Sequence, residues 1–254
     1  MTKQRRAIVL AAGKGTRLHS EQFPLPKVLR ELEGEALLLH VLRHLPGIAP
    51  QDTAIVIGYK GELVMAALRD RMYAFRWQKE QLGTGHAVRT ALDFLEGFNG
   101  SVLICYGDMP MVREASYDEL FRQVETTDAD ACILAYDTDL DLPYGRIIRD
   151  ERGDFQRVVE ARDCSAEQLR ITELNAGVYV FRASVLRELL PILRNDNAQH
   201  EYYVTDIPGM IRERGGRVTV ARTRGRYEGY GVNTPEDLDL LTRVLHGGEP
   251  EQPC

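Results

Sequence analysis

The residues best suited to chemistry stand in loops that follow short apolar runs. The first loop, Leu10-Ala11-Ala12-Gly13-Lys14-Gly15-Thr16-Arg17, combines two glycines, small alanines and two cations. Consecutive N–H groups in a glycine-rich turn form a concavity for anions, and Lys14 and Arg17 add positive charge beside it, so the segment reads as a polyphosphate cradle. Gly-x-Gly alone fits an ordinary strand-to-helix turn equally well. Two common phosphate loops are excluded: a dinucleotide fingerprint requires glycine where Leu18 stands, and a Walker A loop requires glycine where Ile8 stands. Lys27 follows in Pro26-Lys27-Val28-Leu29. Gln78 closes an apolar run with a carboxamide that can both donate and accept. Gly83-Thr84-Gly85 reads as a helix N-terminus with a capping threonine, a place that suits anions. Asp108 follows the run 102–106, where a strand-end carboxylate is either a turn residue or a ligand for Mg²⁺. No nucleophile–base pairing stands out.

Other patterns resemble sites and fail on inspection. Asp137-x-Asp139-x-Asp141 begins like a calcium loop, but Leu142 replaces the required glycine and Ile148 the bidentate glutamate, so it reads as a solvated acidic loop. His40 and His44 lie one helical turn apart, yet Val41 stands where a zincin needs glutamate. Cys105, Cys132, Cys164 and Cys254 have no metal-type spacing, and Cys105 and Cys132 fall inside apolar runs as small buried hydrophobes.

The elements that position these residues follow from periodicity. Strands are predicted over 7–10, 53–57, 75–78, 102–106 and 131–136, with amphipathic helices over 36–45, 63–71, 85–95 and 117–125. This alternation favours a mostly parallel, twisted α/β sheet with helices on both faces, whose ligands sit beyond the carboxyl ends of the strands. From about Gly145 the rhythm changes to a hairpin over 145–148 and 155–160 and a strand over 177–181. Helices over 184–193 and 205–214, a strand over 217–221 and a closing helix over 235–245 with Thr234 as its N-cap complete the pattern. The reading is one domain over 1–246, with a smaller β-rich part in its second half, and a frayed tail over 247–254.

Across 254 residues, 44% hydrophobic and 28% charged content excludes a disordered or collagen-like chain. A net charge of -6 argues against non-specific nucleic-acid binding while leaving room for one basic pocket. No apolar run reaches membrane-spanning length, and the apolar stretch 7–12 is too short for a secretory signal. The expectation is a reduced, cytoplasmic chain with no membrane or nucleic-acid partner.

LAAGKGTRL with PKVL is followed in order by QKEQLGTGHAV, YGDMP, YGRIIRD, VVEARD, ELNAGVYVF, NAQHEYYVTD and EGYGVN. This series covers nearly the whole chain. It resembles the sugar-1-phosphate nucleotidyltransferases, and within them the uridyltransferase domains of bacterial bifunctional N-acetylglucosamine-1-phosphate uridyltransferases. The resemblance implies a Rossmann-like, GT-A-like domain. It also implies a reaction of UTP with a sugar 1-phosphate giving a UDP-sugar, foremost UDP-N-acetylglucosamine, and pyrophosphate, with Mg²⁺ as cofactor. It assigns Leu10, Ala11 and Gly13 to the uridine side, and Gly15, Thr16 and Arg17 to the β- and γ-phosphates. Lys27 would bridge the phosphates of both substrates. Gln78 and Gly83 would meet the base, with Thr84 beside them, and Asp108 and Asn233 would hold the metal. Gly145, Glu160, Asn175, Tyr202 and Thr205 fall to the sugar and its phosphate. Arg17, Lys27 and Asp108 are the implied catalytic group.

The chain departs from the family pattern in a longer link before Lys27, which leaves the length of that loop open, and at Arg162 and Ala176, which leave the sugar open. Rival readings are a same-fold enzyme using another sugar 1-phosphate or dTTP, a non-catalytic nucleotide-sugar sensor, and an NAD-binding dehydrogenase, the last disfavoured by Leu18. Hexapeptide β-helix repeats are missing from the sequence, so neither acetyltransferase activity nor the trimer of the bifunctional relatives is carried over. The oligomeric state stays open.

Overall fold

In the computed structural model, which describes residues 4–14, 25–138 and 142–247, the apolar runs become strands of one mixed sheet. The first half supplies β1 (Arg5–Ala11), the short hairpin β2 (Glu31–Leu32) and β3 (Glu35–Ala36), α1 (Leu37–Arg43), β4 (Thr53–Ile57) and α2 (Gly61–Ala67). It continues through β5 (Ala74–Trp77), α3 (Thr84–Arg89), β6 (Ser101–Tyr106), α4 (Glu114–Thr126) and β7 (Ala131–Asp137). The second half adds β8 (Arg146–Arg149), β9 (Phe155–Val159), β10 (Glu173–Arg182), α5 (Ala183–Leu189), α6 (Asp206–Glu213), β11 (Val218–Arg222) and α7 (Pro235–Leu245).

The strand order is β11-β7-β10-β6-β1-β4-β5, with the β8–β9 hairpin attached beside β10. β1 pairs in parallel with β4 and β6, β4 with β5, and β11 with β7. β10 lies antiparallel between β6 and β7. Alternation along β1 sends Ala7, Val9 and Ala11 to one face and Ile8, Leu10 and Ala12 to the other. The first face is covered by α1, α2 and α4 through Val41, Val64 and Phe121; the second by α3, α5 and α6 through Val88, Leu186 and Ile207. This is the expected Rossmann-like layering, with every central strand buried on both sides.

Local chemistry explains the boundaries. Thr234 accepts from the Asp237 N–H while the Asp237 carboxylate accepts from the Thr234 N–H, a reciprocal cap that starts α7 at Pro235. The helix expected over 85–95 breaks after Arg89 and resumes as a 3₁₀ turn over Leu92–Leu95. The helix expected over 184–193 passes into a 3₁₀ turn at Leu190–Ile192, where Pro191 lacks the N–H that would continue it. Among the described residues no helix is long and apolar enough to cross a membrane. The thiols of Cys105 and Cys132 are each pushed up to about 12 by burial. His40 and His44 each bond a main-chain carbonyl, of Leu32 and Val112. Gly15, Thr16, Arg17, Asp139, Asp141 and the tail from 248 onward lie outside the described residues.

Candidate active site

Because β1, β5 and β6 run in the same direction, the residues at their carboxyl ends converge on one edge of the sheet. There a cleft of about 360 Å³ is lined by Leu10, Ala11, Gly13, Lys27, Gln78 and Gly83, with Thr84, Tyr106, Asp108 and Asn233 completing its walls. A second cleft of about 180 Å³ shares Tyr106, Asp108 and Asn233 with the first and extends to Gly145, Glu160 and Asn175.

The junction is built around Lys27. Its ammonium forms an ion pair with the Asp108 carboxylate and donates to Asn233 Oδ1 at 2.9 Å. Lys27 is only 11% exposed and Asp108 20%, so little water screens the pair. Three chain segments set this arrangement. A 3₁₀ turn after Pro26 carries Lys27. Asp108 sits just past β6, and its carbonyl accepts from Val232 N at 2.9 Å, tying the two loops together. Asn233 Nδ2 donates to the Gly231 carbonyl at 3.2 Å, which turns Oδ1 toward Lys27, while Asp237 Oδ2 accepts from Asn233 N at 2.7 Å. A carboxylate and an amide oxygen thus already converge on one positive charge. These hard oxygen donors fit the requirement of Mg²⁺, which takes few protein ligands and completes its shell with phosphate and water.

The wall of the larger cleft depends on two close approaches. Gly83 has φ +105, and a Cβ there would meet the Tyr202 carbonyl oxygen at 2.5 Å. Gly85 N donates to the same oxygen at 2.7 Å, and Tyr202 N donates to Leu82 O at 2.8 Å. The Thr84 hydroxyl accepts from Val204 N at 3.0 Å, so it braces the wall.

In the smaller cleft the register of β10 against β7 shifts between Asn175 and Tyr179. The shift follows from Gly177 at φ +75, where Asn175 Oδ1 accepts from Gly177 N at 3.1 Å and Asn175 Nδ2 donates to the Tyr179 hydroxyl at 2.6 Å. Such a bulge re-aims side chains, here Asn175 and Ala176 into the cleft. Glu160 accepts from the Thr205 hydroxyl at 2.9 Å; burial pushes its carboxyl up and that hydrogen bond opposes the shift. Thr205 therefore stands behind Glu160. The Tyr202 ring lies against His86 and under the Arg89 guanidinium, so its surroundings are the wall of the larger cleft.

Asp206, in the first turn of α6, is pushed up to about 6 by burial and by the carboxylates of Glu160 and Asp163. The folded state then holds a proton that the unfolded chain, with a carboxyl near about 3.9, has already lost. Stability from this group therefore falls as pH rises between those values and stays reduced above them. Asp206→Asn is expected to raise Tm at pH about 7.5 and to leave it unchanged at pH about 3, read by thermal melts at both; an equal shift at both pH values would exclude the carboxylate as the cause.

Residues 7–200 match the family described as the MobA-like NTP transferase domain. The chain belongs to that family. The bifunctional protein GlmU of Limosilactobacillus fermentum is 40% identical over 239 residues, which is 94% of this chain and 52% of the relative. The chain spans about half the length of the curated relatives it matches. A Bacillus anthracis protein assigned as a glucose-1-phosphate thymidylyltransferase, solved with sucrose, superposes with a TM-score of 0.77 at 17% identity and covers 98% of each chain. A UDP-glucose pyrophosphorylase bound to UDP-glucose gives the same TM-score and identity, covering 96% of this chain and 98% of its own. At that identity the likeness establishes the shared fold.

In this MobA-like domain the structure also brings forward residues that sequence reasoning passed over. Gln81 Nε2 donates to the Ala12 carbonyl at 3.0 Å and closes the glycine loop against the cleft. Tyr144 accepts from Gly231 N at 2.8 Å through its hydroxyl and lines the smaller cleft. Both fall inside quoted sequence blocks. Their roles rest on partners far along the chain, which no local pattern reveals.

Proposed function

We propose that the chain joins UTP to a sugar 1-phosphate, foremost N-acetylglucosamine 1-phosphate, giving the UDP-sugar and pyrophosphate. The observation that carries this reading is the meeting of two clefts at Lys27, Asp108 and Asn233. The larger would take UTP, with the base against Gln78 and Gly83, the uridine against Leu10, Ala11 and Gly13, and the β- and γ-phosphates at Gly15, Thr16 and Arg17. The smaller would take the sugar, with Asn175, Glu160 and the main chain of Gly145 toward its hydroxyl groups. Gly145 suits that role because a Cβ there would crowd Val158 at 2.9 Å and approach Glu160 Oε2 at 3.5 Å.

The chemistry then needs no protein nucleophile. An oxygen of the sugar phosphate attacks the α-phosphorus, the bond from that phosphorus to the bridging oxygen breaks, and pyrophosphate leaves in line. Lys27 holds the two phosphates together and offsets their charge; Asp108 and Asn233 would hold Mg²⁺. Held there, the metal would offset the triphosphate charge and make pyrophosphate a better leaving group. The clustered Lys27, Asp108 and Asn233 favour an enzyme over an idle sensor.

Coupled pyrophosphate assays with UTP or dTTP against N-acetylglucosamine 1-phosphate or glucose 1-phosphate test the substrates. UTP with N-acetylglucosamine 1-phosphate is expected to give the highest kcat/KM; preference for another pair would move the assignment to that pair. Gly177→Ala probes the smaller cleft, which Gly177 lines, and reaches the larger one only through the shared Tyr106 ring. Its Cβ would stand 2.5 Å from a Tyr106 ring carbon at a positive φ. The variant is expected to raise KM for the sugar phosphate about 10-fold with a smaller change for UTP, since backbone strain of this kind costs about 1–3 kcal/mol. An unchanged KM for the sugar phosphate would place the sugar elsewhere.

A further inference from the structure

The Gly83 carbonyl can only accept, and it lies 3.0 Å from Gln78 Nε2, which fixes the amino side of that carboxamide. The same amino group lies 3.1 Å from His86 Nδ1. Nδ1 must therefore accept, which requires a neutral imidazole with its proton on Nε2. Both Gln78 N–H bonds are then engaged. Oε1, without a hydrogen-bond partner among the described residues, is the polar atom left to a side chain that lines the larger cleft. Gln78 is 5% exposed, so water does not readily replace either bond. The Gly83 carbonyl is itself held in place, accepting from Ala87 N at 3.1 Å in the first turn of α3.

We infer that His86 is a positioning residue that locks the Gln78 carboxamide with its oxygen toward the nucleotide base, so that the cleft selects a base whose facing edge carries a ring N–H. This rests on the reading that Gln78 meets the base. Uracil and thymine present N3–H to such an acceptor. Cytosine presents a lone pair at N3, which would face the Oε1 lone pairs. Without His86 the amide loses one of the two groups that fix its orientation, and its amino side is free to turn to a cytosine.

The groups facing the imidazole keep it in the accepting state. Burial and the Arg89 guanidinium hold its pKa below the ordinary histidine value, against the opposing main chain and carboxylate of Glu80; the neutral Tyr202 ring packs alongside. Protonation makes Nδ1 a donor that opposes Gln78 Nε2. The lock thus weakens as pH falls through the lowered pKa.

The test is calorimetric binding of UTP and CTP, with Mg²⁺, to the whole chain carrying His86→Leu, His86→Asn or Gln78→Leu. Wild type is expected to prefer UTP by at least about 100-fold, and His86→Leu to reduce that preference about 10-fold. His86→Asn, whose Oδ1 can still accept, is expected to stay within about 3-fold of wild type. In wild type the preference should shrink between pH about 7.5 and about 5, a change His86→Asn should lack; this arm needs no folded His86→Leu. If His86→Leu keeps the wild-type preference while Gln78→Leu loses it, or if both His86 variants fall equally, the positioning role is overturned. If Gln78→Leu keeps the preference, the reading of Gln78 as the base contact fails first.

Discussion

Replacing Lys27 with methionine is expected to lower kcat for pyrophosphate formation by about 10²–10³-fold, the usual loss when one preorganised charge-stabilising donor is removed from a partly dry site. In the proposed reaction two charged substrates approach each other at the junction of the clefts, and Lys27 is a cation placed there, against Asp108 and Asn233. Methionine keeps the length and apolar stem of the side chain, so the walls formed by Val28 and Ala11 keep their packing. Circular dichroism and thermal melts should resemble wild type. Arginine is not expected to rescue the rate, because its planar fork does not fit the single point between a carboxylate and an amide oxygen. A loss below about 10-fold in the methionine variant would remove Lys27 from the reaction.

The second large effect is on stability and comes from a residue outside both clefts. Glu228 is 2% exposed, and its carboxylate accepts from Arg113 N at 3.1 Å, Arg224 N at 2.8 Å, Gly225 N at 3.1 Å and the Ser116 hydroxyl. Through these bonds it closes the N-terminus of α4, where a negative charge is favoured, and pins the loop that runs on to Asn233. Glu228→Ala leaves four donors without an acceptor. It is expected to cost about 3–5 kcal/mol, since each buried donor left unsatisfied costs about 1–3 kcal/mol and several are lost together. Urea denaturation measures this directly, and a cost under about 1 kcal/mol would show that water replaces the carboxylate. Asn233 hangs on the same loop, so, on the proposed metal role, the variant should also raise the Mg²⁺ concentration needed for half-maximal activity at temperatures where it remains folded.

Both residues illustrate what a sequence discloses. That Asp108 stands beside the cleft was legible because it follows an apolar strand, and Lys27 was singled out through the resemblance of its PKVL block; their roles belong to the proposal. The strands over 53–57 and 102–106 and the capped helix at Pro235 were equally plain, since period and capping are local properties. The place of β10 was not. Its apolar run fits either direction, and only pairing with β6 on one side and β7 on the other fixes it as antiparallel. Its bulge at Asn175 to Gly177, closed by the Asn175 side chain on Gly177 N and Tyr179, leaves no room for a Cβ against Tyr106, far along the chain. Tyr202 lies in a block whose resemblance points to the sugar; the packing of its main chain beside Gly83 and of its ring beside His86 and Arg89 was not legible in that block. Glu228 reads as a surface charge in a glycine-rich loop until α4 is folded against it.

The central claim is that the sugar phosphate attacks the α-phosphorus of UTP directly, in one site made of two clefts. Pre-steady-state pyrophosphate release, with enzyme, UTP and Mg²⁺ in the presence and absence of N-acetylglucosamine 1-phosphate, tests it most directly. The result expected is no release without the sugar phosphate and one pyrophosphate per UDP-sugar with it. A stoichiometric burst from UTP alone would mean a covalent uridylyl-enzyme, and release with neither condition would contradict the transfer itself.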